Sequence, residues 1–144
     1  MSAISPAISI YAELVMMEVL EGMEEGVRAG GVLILDIRFA DNQGMVASTE
    51  MGVQRLMDRW NAIAKKYSMK INIKNTKTMV VSKKDGETVS IMIDGQRVEQ
   101  VKTFKYLGSV TAEDGRCMED IKQRIGCTKD AFNKRKELLT KSTV

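Results

Sequence analysis

A run of β-forming residues ends in a short polar segment, and the residue types there could bind a metal ion. The run covers residues 34–39 and is followed by Ala40-Asp41-Asn42-Gln43. An Asp-Asn pair tolerates tight-turn angles, and the apolar return at residues 45–47 suits an antiparallel partner strand. A carboxylate at such a hairpin tip offers the hard oxygen ligand that divalent cations prefer. The alternative is a turn aspartate that hydrogen-bonds its own backbone.

The segment supplies little negative charge for a metal. Asn42 is neutral and offers one carbonyl oxygen, and the nearest other carboxylate in sequence is Asp36. Side chains alternate along a strand, so the odd spacing from Asp36 to Asp41 directs the two carboxylates to opposite faces. The residues alone therefore predict at most a weak cation ligand at Asp41.

Other catalytic and structural chemistries lack their residues. The chain has no histidine, which removes Ser-His and Cys-His nucleophile pairs. Cys117 and Cys127 have neither the number nor the spacing of a disulfide framework or a zinc site. No charged leader precedes an apolar run, and glutamates interrupt the N-terminal apolar segment. We therefore expect an intracellular protein, cytoplasmic or nuclear, without a membrane partner.

Charge is unevenly distributed along the chain. Residues 1–50 hold two basic and eight acidic residues, a net charge of −6, whereas residues 51–144 hold twenty and eleven, a net charge of +9. The basic part could face a polyanion such as a nucleic acid. Solvated helix faces are the alternative explanation.

Three helices are predicted from apolar spacing and capping residues. The first covers residues 9–24, with Pro6 just before or at its first turn, and its apolar stripe contains Ile10, Tyr11, Leu14, Val15, Leu20 and Met23. The second follows a Ser48 or Thr49 cap and extends to Tyr67, and its apolar stripe contains Val53, Leu56, Met57, Trp60, Ile63, Ala64 and Tyr67. The last is basic, covers residues 118–139, and has Met118, Ile121, Ile125, Phe132 and Leu139 along one side.

Strands are predicted between the helices. Residues 33–39 form the first strand, and apolar alternation predicts others near Ile71 and Ile73, at residues 79–81 and 89–93, and at residues 104–107. Asp85-Gly86 and Asp94-Gly95 favour hairpins. This order predicts an α+β domain in which helices pack on one face of an antiparallel sheet.

Four segments, in order, resemble the reverse transcriptases of non-LTR (LINE-like) retrotransposons. They are Ser5-Pro6 with Ile10-Tyr11-Ala12-Glu13, Phe39-Ala40-Asp41-Asn42, residues 70–79 (KINIKNTKTM) and Phe104-Lys105-Tyr106-Leu107-Gly108. The second resembles the Phe/Tyr-Ala-Asp-Asp box of that family, with Asn42 in place of the second aspartate. The resemblance implies a partial polymerase palm at residues 1–112 and a basic helix leading into the thumb at residues 113–144.

The resemblance also implies what the site does and what it lacks. A polymerase of this family joins nucleotides with two Mg²⁺ ions about 3.5 to 4 Å apart. Asp41 takes the place of a catalytic ligand and Asn42 that of a degenerate one, and the family's further metal-binding aspartate belongs to a strand upstream of these 144 residues. We therefore expect a vestigial site that binds no cofactor tightly, and an RNA-directed DNA polymerase fragment that is inactive alone. The alternative is a non-catalytic module that binds nucleic acid or protein.

Further roles follow from the resemblance. Lys77 stands where the family has a lysine that approaches the nucleotide phosphates; the alternative is an exposed strand lysine. Lys105, Tyr106 and Gly108 stand in the turn that grips the primer end, although a plain turn explains Gly108 equally well. On the last helix, template–primer contacts through phosphates are expected from Lys122, Arg124, Lys129, Lys134, Arg135, Lys136 and Lys141. An unpaired edge on the strand at residues 33–39 also predicts self-association, or a partner that completes the palm.

Overall fold

The computed structural model describes residues 6–39, 42–84 and 86–140, and for residues 6–9, 39 and 137–140 it describes the backbone alone. The chain divides into two compact units. The first contains Met1–Thr78 and Val89–Glu99, and the second contains Met79–Thr88 and Gln100–Val144. Both units contain helical and strand residues, so the predicted mixed α+β class is confirmed. Within the described ranges, no helix has the length and apolarity needed to cross a membrane.

Three helices and ten short strands make up the described chain. In order they are α1 (Pro6–Leu20), β1 (Val27–Ala29), β2 (Val32–Ile34), β3 (Asp36–Phe39), β4 (Asn42–Met45), α2 (Glu50–Lys66), β5 (Lys77–Thr78), β6 (Met92–Ile93), β7 (Gln96–Arg97), β8 (Glu99–Gln100), β9 (Thr103–Tyr106), β10 (Ser109–Ala112) and α3 (Met118–Thr140).

The strands of the described chain form five separate pairs, not the one continuous sheet that was predicted. β1–β2, β3–β4, β6–β7 and β9–β10 are antiparallel hairpins, and β5 pairs with β8. The strands are two to four residues long, and β5 and β8 are far apart in sequence. In the β1–β2, β6–β7 and β9–β10 hairpins two residues with positive φ separate the strands, so each pair forms from neighbouring chain alone.

The predicted strand at residues 33–39 is interrupted. Its first part, β2, turns back on β1 through Gly30 and Gly31, whose φ angles are +58° and +83°. Two consecutive positive φ angles fit the turn whose twist matches that of a hairpin, and glycine adopts them without steric cost. The second part, β3, pairs instead with β4. Sequence analysis missed β1 because the glycines suggested only an interruption.

Helix α2 begins and ends where predicted. The Thr49 side chain accepts a hydrogen bond from the Gly52 backbone N–H at 3.0 Å, which caps the helix. Glu50 lies in the first turn and Lys65 and Lys66 in the last, so the charges complement the helix dipole. Leu56 and Met57 are buried, as their helical spacing predicts.

Helix α1 covers residues 6–20, not the predicted 9–24, and the face that it packs against α2 only partly matches the predicted stripe. Val15, Met16 and Val19 are buried, whereas Ile10 and Leu14 are exposed. The helix is apolar on nearly all sides, so spacing alone cannot select its buried face. Hydrogen bonds to Glu18 of α1 also join the two helices. Lys66 of α2 and Tyr67, which follows α2, donate to the Glu18 carboxylate at 2.5 and 2.7 Å. Arg59 of α2 donates to the Glu18 backbone oxygen at 2.9 Å.

A second core cluster forms where strands were predicted and few are found. Ile71, Ile91, Ile93 and Val98 are buried with Met57, yet residues 71–73 and 89–91 are not strands. Side chains of α2 take the backbone bonds that a partner strand would have taken. Gln54 accepts from the Met92 N–H and donates to the Met92 carbonyl, both at 2.8 Å, and Glu50 accepts from the Ser90 N–H at 2.7 Å. The alternation of apolar and polar residues therefore predicted burial correctly, but its prediction of strands at residues 71–73 and 89–91 was wrong.

The other predicted turns and strands have mixed outcomes. Asp94-Gly95 is the turn of the β6–β7 hairpin, with φ angles of +49° and +76°, as predicted. Asp85 lies outside the described residues, and residues 79–81 are not a strand. β9 lies where a strand was predicted and pairs with β10.

The second unit joins α3 to the β9–β10 hairpin. Helix α3 begins at Met118, as predicted. The Asp120 carboxylate accepts from the Val110 backbone N–H at 2.9 Å and from Arg124 Nε at 2.7 Å. These two bonds, the backbone one first, hold the pKa of Asp120 below its usual value. Beyond this attachment, all residues from 121 to 136 are exposed.

Candidate functional site

The β3–β4 hairpin carries the segment that sequence analysis selected. Phe39 pairs with Asn42, Arg38 with Gln43 and Asp36 with Met45, so antiparallel strands lie on both sides of the box. Ala40 and Asp41 themselves lie outside the described residues. Asn42 is exposed at the start of β4. The predicted pairing of the flanking segments is therefore present, and the placement of Asp41 stays a prediction.

Arg38 lies between two carboxylates beside this hairpin. Its Nη1 donates to Glu13 of α1 at 2.8 Å, and its Nε forms an ion pair with Asp36 on the same strand face. The Asp36 side chain is 15% exposed, and this guanidinium is its ion-pair partner. Sequence analysis missed Arg38, although its spacing of two from Asp36 was a signal, because such residues share a strand face.

A shallow, mainly apolar cleft lies next to the hairpin in the first unit. Ala12 of α1, Gln43 of β4 and Trp60 of α2 line it together with Lys70 and Ile71. Ala12, Gln43 and Lys70-Ile71 belong to or adjoin three of the four segments that resemble reverse transcriptases. Residues far apart in sequence are thus brought to one surface.

Lys77 lies on β5 and is half-buried. Its ammonium group forms an ion pair with the Glu99 carboxylate at 2.5 Å. A lysine that neutralises a phosphate must first release such a partner, so this contact favours a structural role for Lys77. Its predicted approach to a nucleotide stays a prediction.

Lys105, Tyr106 and Gly108 lie on the β9–β10 hairpin as the sequence predicted. Leu107 and Gly108 form its turn, with φ angles of +51° and +86°. Glycine adopts such an angle freely, but leucine does so at a cost of about 1 to 2 kcal/mol. The Tyr106 ring stacks on Phe104 with centroids 6.4 Å apart, and Lys105 is exposed. The turn thus exposes a strained leucine, which sequence analysis had not singled out.

The predicted phosphate-contacting residues from Lys122 to Lys136 are exposed and partly paired, and Lys141 lies outside the described residues. Lys122 donates to Glu119 at 3.0 Å and Arg124 to Asp120 at 2.7 Å. Lys129 is exposed and has no ion pair within the described part of the chain. Exposed pairs of this kind contribute at most about 1 kcal/mol, so a phosphate can displace them.

No group of three His, Cys, Asp or Glu side chains lies together among the residues that the structure describes. Cys117 and Cys127 are free and exposed.

The sequence matches no protein-family model, and neither a curated protein nor a solved structure matches the chain. The proposals below therefore depend on the residues and their contacts.

Proposed function

We propose that this chain is part of a reverse transcriptase of the non-LTR retrotransposon kind, and that the 144 residues alone do not transfer nucleotides. The proposal depends on the four resembling segments and on how the described ones are arranged. It includes an RNA or DNA template–primer as the partner of the basic C-terminal part.

The observation that carries the proposal is the bond between Arg38 and Glu13. Glu13 belongs to the first resembling segment, and Arg38 directly precedes the box in the second. Their 2.8 Å contact fixes α1 against the β3–β4 hairpin. The adjoining cleft also contains Lys70 and Ile71 of the third segment. Segments that act together in a polymerase palm should meet in this way, because a catalytic site needs its residues in one place.

The donor set does not fit a two-metal site. The box supplies one carboxylate, at Asp41, and Asn42 adds no charge. Asp36, the nearest other carboxylate in sequence, is held by Arg38. Two divalent ions close together require several carboxylate oxygens to offset their mutual repulsion. These residues therefore do not supply the ligands that two Mg²⁺ ions would need.

Primer extension tests the proposed lack of activity. The purified chain would be incubated with an RNA template, a DNA primer and all four deoxynucleotides, with Mg²⁺ in one series and Mn²⁺ in another. We expect no extension from the wild type or from Asn42→Asp, because one restored carboxylate still leaves too few carboxylate ligands for two metal ions. Incorporation that disappears in Asp41→Ala would overturn this part of the proposal.

A second candidate function is a non-catalytic nucleic-acid-binding module, which the exposed basic residues of α3 favour. It predicts binding to an RNA–DNA duplex that weakens as salt rises. Replacing Lys122 and Lys129 by glutamine should lower the slope of log affinity against log salt by about 1 for each lost phosphate contact. Lys83→Gln, at an exposed loop position, is the matched control and should leave the slope unchanged. The absence of duplex binding at low salt would exclude this function and weaken the primary one.

A further inference from the structure

A row of apolar side chains lies uncovered along α3. Met118, Ile121, Ile125 and Phe132 are 54%, 47%, 51% and 46% exposed. With Thr128 they follow one another at intervals of three, four, three and four residues, the repeat by which one helix packs along another. We call these five residues the α3 seam. Helices in proteins take most of their stability from packing an apolar face against another surface. The 23-residue helix α3 would therefore be stabilised by a surface that covers the seam.

Both edges of the α3 seam are basic. An α-helix turns by about 100° per residue. Lys122 and Lys129 therefore lie along one edge of the seam, and Arg124 and Arg135 lie along the other. The acidic residues Glu119 and Asp130 project from the opposite side of the helix by the same geometry. Lys122 is paired with Glu119 and Arg124 with Asp120, but residues 118–136 hold six basic and three acidic residues, so the helix keeps a net positive charge beside the seam.

We propose that the α3 seam binds an amphipathic helix of a partner protein whose own apolar row is edged by glutamate or aspartate. The apolar rows pack against each other. The partner's carboxylates meet Lys129, and they meet Lys122 and Arg124 in competition with Glu119 and Asp120. A second copy of α3 is a poor occupant, because pairing two such helices would place basic edges side by side. This inference does not depend on the proposed function.

Other basic-surface ligands account for only part of the pattern. A nucleic-acid duplex would use the basic edges through its phosphates but would leave Ile121, Ile125 and Phe132 in water. A membrane surface calls for a broad apolar face, whereas the α3 seam is narrow and has basic residues along both edges. A single helix has the width of the seam and can carry the opposite charge.

The test measures binding of a defined probe to the full chain by fluorescence anisotropy. The probe is a labelled three-heptad peptide with leucine at the seam-matching positions and glutamate at the flanking ones. A second peptide has lysine in place of glutamate. We expect the acidic peptide alone to bind, with an affinity that falls as salt rises.

Matched variants separate the seam from the charges. Ile125→Ser should weaken binding of the acidic peptide at least about tenfold, because it removes a central packing contact. Gln123→Ser, on the opposite side of the same helix, should leave binding unchanged, and circular dichroism checks that both variants keep their helix content. Lys122→Glu with Lys129→Glu should abolish binding at low salt.

Three results would overturn the proposal. One is no binding of the acidic peptide at low salt. Another is equal binding to the wild type and to Ile125→Ser, since charge attraction alone would then suffice. The third is Ile125-dependent binding to phosphatidylserine vesicles without binding to the peptide, which would assign the seam to a membrane surface. Duplex binding is measured separately and reports on the proposed function, so the two can fail independently.

Discussion

Gln54→Ala should destabilise the first unit, because the Gln54 side chain replaces a partner strand for Met92. It makes two hydrogen bonds to the Met92 backbone, both at 2.8 Å. Each hydrogen bond contributes about 1 kcal/mol net to the free energy of unfolding. The higher helix propensity of alanine offsets a few tenths of a kcal/mol of that loss. We therefore expect a loss of about 1.5 kcal/mol in the free energy of unfolding.

Urea unfolding followed by tryptophan fluorescence measures this change. Trp60 is the only tryptophan, and it packs against both core clusters of the first unit, so the signal reports on that unit. Gln123→Ala, at an exposed position of α3, is the matched control and should change the midpoint little. Hydrogen exchange at the Met92 amide should become faster in Gln54→Ala. If the loss is below about 0.3 kcal/mol and the Met92 amide stays protected, Gln54 does not serve as the partner that we describe.

Four further predictions concern stability. Thr49→Ala should cost about 1 kcal/mol through loss of the α2 cap, and Thr49→Ser should retain most of it, as urea titration will measure. Ile91→Ala should cost about 2 to 5 kcal/mol, because the side chain is almost fully buried; a smaller loss by urea titration would contradict the described core. Leu107→Asn should slow amide exchange in the β9–β10 hairpin, since asparagine before glycine accepts the positive φ that leucine resists. The hydrogen bond from Lys66, with others, holds the pKa of Glu18 below its usual 4.5, so its stabilisation is present above that value and is lost as pH falls through the lower folded pKa. Glu18→Gln should therefore flatten the acid side of the stability curve, and an unchanged curve would contradict the contact.

Local residues were enough to predict the bounds of α2 and α3 and several turns. Thr49 caps α2 because a threonine side chain can reach the N–H three residues on, and Asp94-Gly95 turns because these residues accept positive φ. The start of α3 and the hairpin around Gly108 were predicted for similar reasons. Each of these features is decided within a few residues of chain, so the sequence contains the whole cause.

The candidate site was predicted in part. Sequence analysis selected the β3–β4 hairpin, the β9–β10 turn and the basic α3, and each lies on the expected kind of element. It missed Arg38, and it gave Lys77 no partner. The Arg38–Glu13 and Lys77–Glu99 pairs join residues 25 and 22 positions apart, a distance over which neither residue type nor spacing identifies a partner.

The sequence by itself determined where α2 and α3 begin, which apolar residues of α2 are buried and where several hairpins turn, because these depend on backbone preferences and on period. Only the tertiary structure decided that α1 buries Met16 and Val19 and exposes Leu14, and that Gln54 bonds to Met92 in place of a strand. Those choices are made by competition among distant groups for the same hydrogen bonds and the same buried surface. That competition is settled only when the chain has folded.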